Sequence, residues 1–193
     1  MTSPDQLWLA TLQDVAGRAA HEVRDALNGV SLNLEVVRTR TAKGARSTDI
    51  AQFVKDAVDQ LEALAARAEA LLFLARAPRG RATDVSLVLR HLSALLVPAA
   101  KADQITLVVT GAEKPAETGV AEVPVRLGLA IGLLALIKEG GGRCRLDAGH
   151  DPVVRFSHES AVISLDGDAS AVLAEHGIRV TRSGPELSLT FPA

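Results

Sequence analysis

Two long runs of helical periodicity, separated by only a few residues, restrict the fold of this chain more than any other feature. In the first, Leu12, Val15, Ala16, Ala19, Val23, Ala26, Leu27, Val30, Leu34 and Val37 recur at the three- and four-residue spacing of one helix face. Ser3 or Asp5 is placed to cap its start, Pro4 is tolerated in the first turn, and the pattern runs to about Thr41. Lys43-Gly44-Ala45-Arg46-Ser47 breaks it. Ser47 or Thr48 then opens a second run to about Ala77, carried by residues such as Ile50, Phe53, Val54, Ala57, Val58, Leu61, Leu64, Leu71 and Leu72. Helices of this length joined by so short a loop form an antiparallel hairpin, which buries little by itself. A second copy completes a four-helix bundle, so the pattern predicts a homodimer.

Aromatic residues make up only 3% of the 193 positions and Tyr is absent, while 48% are hydrophobic. The core must therefore be built from Ala, Leu and Val, a composition that lets helices approach closely. Pro78-Arg79-Gly80-Arg81 reads as a linker, dividing the chain into residues 1–78, the hairpin, and 79–193, a second domain. In the second part the pattern alternates. Helices are expected from Asp84 to about Ala102, from Val125 to Lys138 and from Ala169 to Glu175. Strands are expected at Ile105 to Thr110, Arg143 to Asp147, Val153 to Ser157, Ala161 to Leu165, Ile178 to Arg182 and Leu187 to Phe191. The class is α+β, with helices over one face of a mixed sheet.

A formal net charge of -2, without a basic patch, argues against nucleic-acid binding. The single Cys144 excludes an intrachain disulfide framework and reads as a small core residue in a reducing compartment. The start, Met-Thr-Ser-Pro-Asp-Gln, lacks the pattern of a signal peptide, and the most apolar stretch, Leu127 to Ile137, is too short for a bilayer. A cytoplasmic protein without a membrane span is expected.

His21 stands apart from this framework. Its same-face neighbours on a helix are Asp14, Gly17, Arg18, Arg24, Asp25 and Asn28, none of them apolar, so it faces water. A neutral imidazole is a nucleophile, and an exposed one is within reach of a phosphorylated aspartate on another protein. Glu22 beside it is suited to orient the ring or take up a proton, and Arg18 and Arg24 to offset the charge of a phosphohistidine. Most exposed histidines on helices are only solvated side chains; the surrounding pattern argues for more here. His91, His150, His158 and His176 are scattered without metal-ligand spacing and read as surface residues.

The string His21-Glu22-Val23-Arg24-Asp25-Ala26-Leu27 resembles the phospho-acceptor motif of sensor histidine kinases, His-Glu-aliphatic-Arg-Asn/Thr-Pro-Leu. Asp25 stands where the family has Asn or Thr, which it links to removing phosphate from a partner, and Ala26 stands in place of the helix-bending Pro. The order of elements after residue 79 resembles the family's ATP-binding domain, reduced in size. Its chemistry is missing: Gly128 to Lys138 has no Asn to hold magnesium and phosphate, and neither Asp-x-Gly-x-Gly nor a glycine-rich lid is present. Asp166-Gly167-Asp168 is the nearest remnant and reads as a turn, and Gly140-Gly141-Gly142 reads as a helix stop rather than a phosphate loop.

The whole is similar to the dimeric histidine phosphotransferases of bacterial phosphorelays: a phospho-acceptor hairpin followed by a degenerate ATPase-like α/β sandwich. That resemblance implies that His21 passes a phosphoryl group between receiver-domain aspartates without ATP, with Glu22 assisting and Arg18, Arg24, Asp25 and Asn28 forming a docking rim. It implies response-regulator receivers and a hybrid histidine kinase as partners, and no cofactor on this chain, magnesium being supplied by the receiver. Two other readings stay open: a non-catalytic pseudokinase that binds a kinase or receiver as adaptor or inhibitor, and a compact kinase with divergent ATP motifs.

Overall fold

Helix α1 (Pro4–Ala42) and helix α2 (Ser47–Ala75) form the antiparallel hairpin in the computed structural model, which describes residues 3–78, 82–148 and 152–192. Ser3 is the cap of α1: its hydroxyl accepts from the Gln6 amide, and the Gln6 side chain accepts from the Ser3 amide. Gly44 turns the chain at φ 76°. Helix α2 begins at Ser47, within the expected start, and its cap is Arg46, whose amide donates to the Asp49 carboxylate at 3.2 Å. The two helices approach closely where Gly29 meets Gln60; a Cβ at Gly29 would lie 2.7 Å from that side chain.

The second part holds β1 (Thr83–Asp84), α3 (Val85–Ala102), β2 (Ile105–Thr110), β3 (Glu117–Thr118), α4 (Glu122–Lys138), β4 (Gly142–Ala148), β5 (Val153–His158), α5 (Gly167–Glu175), β6 (Arg179–Ser183) and β7 (Glu186–Thr190). Five strands form a mixed sheet in the order β2-β4-β5-β7-β6, in which only β2 and β4 run parallel. The fold is thus α+β, a helical part joined to a small α/β part. The two-residue strands β1 and β3 pair with each other, and are too short to leave a sequence pattern. Asp84 caps α3, accepting from Ser86, Leu87 and Ala116.

Several expectations are corrected. Residues 161–165 form no strand: both ladder sides of β5 are already taken by β4 and β7, and His158 draws the chain away. The amides of Ser160 and Ala161 donate to its Nδ1 at 3.1 and 3.0 Å, which places the ring proton on Nε2, facing the Gly141 carbonyl at 3.0 Å. His158 is therefore a buried anchor, not a surface residue. His91 is half-buried and stacked on Phe73 with ring centroids 4.0 Å apart. His176 is exposed, and His150, like residues 79–81 of the expected linker, lies outside the described residues. Helix α4 begins at Glu122, three residues early, and ends at a glycine stop, Gly140, Gly141 and Gly142 all having positive φ. Helix α3 matches the helix expected from Asp84 to Ala102, but against the expectation of no such stretch it has the length and apolarity of a membrane span; half of it is buried within the fold.

One apolar core runs through both parts: Trp8, Val15 and Ala19 of α1 and Ala70 and Leu74 of α2 belong to the same buried cluster as α3, α4 and the sheet. Helix α4 has no apolar stripe because it is enclosed. On its sheet side Gly132 lets it sit on Phe156, whose ring would lie 2.6 Å from a Cβ, and Gly128 meets Leu173 and Leu189. Its other side packs against α1 and α3.

Arg126 of α4, 1% exposed, closes the C-terminal end of α2. Its Nη1 donates to the carbonyls of Leu74 and Arg76, both at 2.9 Å, and its Nη2 to Phe73 at 3.0 Å and to the Glu122 carboxylate at 2.6 Å. These are carbonyls that a helix end leaves without intrahelical donors. Removing one partner of such a buried pair is strongly destabilising, so Arg126→Ala is expected to cost about 3–5 kcal/mol in denaturant unfolding. Burial pushes the His91 imidazole below its ordinary value, aided by Arg90, Arg76 and Arg126 and opposed by Glu69. The neutral ring thus stabilises the fold above its unfolded value of about 6.5, and that stability is lost as pH falls through the lower folded value. Unfolding midpoints measured across this range are expected to drop on acidification, and less so for His91→Phe.

Candidate functional site

Successive residues of a helix project about 100° apart, so turning Val15 and Ala19 of α1 into the core puts His21 on the outer side. Its side chain is 67% exposed. The carboxylate beside the ring belongs to Asp25, whose Oδ2 lies 3.6 Å from His21 Nε2. A residue one full turn on stacks over its partner, whereas the adjacent Glu22 points away along the helix surface. Glu22 is half-buried and turned towards α2.

There it lines a cleft of about 380 Å³ with Asp25 and Ala26 from α1 and Asp59, Gln60, Ala63 and Arg67 from α2. The Nε of Arg67 and the Oε1 of Gln60 are closed off from solvent without a hydrogen-bond partner. Asp59 is paired with Lys55 at 2.6 Å. The sequence reading missed these α2 residues because it treated each helix alone. The signal that finds them is the hairpin register: positions level with one another lie equally far from the Gly44 turn, which sets Gln60 opposite Gly29 and Arg67 near Glu22.

The other motif residues separate. Arg18 is tied down: its Nε lies 3.4 Å from Asp14, and its Nη1 lies 3.5 Å from Asp103, just beyond α3. It also borders a second cleft of about 210 Å³ with Asp14, Lys138 of α4 and residues 164–166. Arg24 and Asn28 are exposed. In that second cleft Asp166 is the cap of α5, accepting from the Asp168 amide at 3.3 Å, so the Asp166-Gly167-Asp168 string is a helix start.

Chemically, the site offers one accessible imidazole nitrogen, a carboxylate in loose contact with it, a tethered arginine one turn before it and a free-standing one, Arg24, one turn after. The imidazole and the two arginines suit transfer of an anionic group to and from Nε2, while the Asp25 carboxylate at 3.6 Å opposes it unless it turns aside.

No family model matches this sequence, and no curated protein does. Among solved structures the chain is similar to the histidine kinase AdeS of Acinetobacter baumannii, at 13% sequence identity and a TM-score of 0.38, over 89% of this chain and 97% of that one.

Proposed function

We propose that this protein is a histidine phosphotransferase that takes a phosphoryl group from the aspartyl phosphate of one receiver domain and passes it to the aspartate of another, without using ATP. The observation that carries this reading is the exposed His21, inside a His-Glu-Val-Arg string on the outer side of a long helical hairpin. The Nε2 lone pair attacks phosphorus, the P–O bond of the acyl phosphate breaks, and the receiver's carboxylate leaves; the reverse step hands the group on. Arg18 and Arg24 flank the developing charge, Asp25 and Asn28 complete the rim on which a receiver docks, and Glu22 assists from the cleft side. Magnesium comes with the receiver.

The enclosure of α4 supports transfer rather than ATP use. In the resemblance this helix stands where nucleotide would be held, yet its sequence lacks the polar residues for that task and its faces are taken by the sheet, α3 and α1. Exposed apolar side chains support the homodimer. Leu27 and Leu34 of α1, and Val54, Val58 and Leu61 of α2, are 42% to 51% exposed, and the hairpin register sets Leu34 level with Val54 and Leu27 level with Leu61. Such a patch costs free energy in water, and burying the exposed half of each side chain against a second copy recovers about 1 kcal/mol.

Incubation with phosphorylated receiver domains is expected to place acid-labile phosphate on the wild type and none on His21→Ala, with no label from ATP alone. Stable receiver binding without any label would support the adaptor reading instead, and label from ATP alone a kinase. Light scattering is expected to give twice the 20.2 kDa chain mass, and Leu27→Asp with Val58→Asp to halve it.

A further inference from the structure

The same geometry that supports phosphorylation of His21 also opposes it. Nε2 is the outer nitrogen and the one a donor reaches, and Asp25 Oδ2 stands 3.6 Å from it. A phosphoryl group there carries close to two negative charges at neutral pH. Asp25 left in place would repel both the incoming donor and the product. Its side chain must turn, and it lines the cleft between α1 and α2.

Among the described residues three carboxylates line that cleft, Glu22 and Asp25 from α1 and Asp59 from α2, with one cation, Arg67. Asp59 is held by Lys55. The Nε of Arg67 is buried with no acceptor, an arrangement that is costly to maintain and that a carboxylate turning inward would relieve.

We propose that Arg67 is a positioning residue that draws Asp25 off His21 when the ring takes up phosphate. This rests on His21 being the phospho-acceptor. Before transfer, Asp25 lies against the ring and leaves the Arg67 Nε without an acceptor. During transfer, Asp25 moves into the cleft, its charge is matched by the guanidinium, and the space it leaves admits the phosphoryl oxygens. Arg67 acts through Asp25 and not on phosphorus.

The test uses potassium phosphoramidate as donor, so that no partner protein enters the readout. The Nε2 lone pair forms a bond to phosphorus, the P–N bond of phosphoramidate breaks, and ammonia leaves. Labelling rates are read by intact mass, and the site by loss in His21→Ala. Arg67→Gln is expected to slow labelling of the intact homodimer by roughly fivefold or more, and Arg67→Lys, which keeps the charge, to recover part of that loss. Asp25→Asn removes the repulsion, so Asp25→Asn and Asp25→Asn/Arg67→Gln are expected to label at equal rates. Matching thermal melts separate this from misfolding. Wild-type rates in Arg67→Gln, or an Arg67 effect that persists in the Asp25→Asn background, would overturn the proposal while leaving the acceptor role of His21 intact. Wild type that takes no phosphate at His21 would overturn the acceptor reading itself, and the proposal with it.

Discussion

Burying the guanidinium of Arg126 carries a desolvation cost of several kcal/mol, and how the chain offsets that cost determines how its two parts sit together. Of the five donors on its planar fork, the four on Nη1 and Nη2 find acceptors and the buried Nε does not. Four contacts come from the terminal carbonyls of α2 and from Glu122 one turn earlier on α4, while the Phe73 ring lies beneath the fork at 5.3 Å. Lysine cannot reproduce this geometry, because it offers a point charge where a fork is needed. The end of the hairpin and the start of the enclosed helix α4 are thereby joined through one side chain. Around that joint the core is continuous from Trp8 of α1 to Leu189 of β7.

This fixed seating shapes the chemistry. Arg18 reaches from the helix that carries His21 to Asp103 in the second part, so the surface around the histidine includes both. On the proposed reading, a receiver docking at His21 would meet a rim whose parts are already in place, which lowers the ordering cost of association. A kinase has a different requirement, since bound nucleotide must be brought to the histidine. Here α1 and α4 share buried core, and a swing of the second part would expose Trp8, Val15 and Ala19 to water.

Much of the fold was legible because its signals are local. The α1 capping box, the Gly44 break and the glycine stop after α4 are short-range chemistry, and both hairpin helices ended within two residues of expectation. What was not legible depends on contacts between distant segments. Residues 161–165 have the composition of a strand, but the sheet has no open edge beside β5. The buried roles of His91 and His158 arise from Phe73 and from the Gly141 carbonyl, which no spacing reveals. At the site, the exposure of His21 followed from its polar neighbours alone. The cleft residues Asp59, Gln60 and Arg67 became visible only once α2 was laid against α1.

Hydrogen exchange along α1 and α4 in the intact protein, with and without magnesium-ATP, distinguishes a second part that is a fixed platform from one that is a mobile nucleotide domain. For a fixed platform, amides at the α1–α4 contact are expected to open only with global unfolding, and nucleotide to change none of them. Opening of that contact well below the global unfolding free energy, with protection altered by ATP, would instead mark a mobile nucleotide domain.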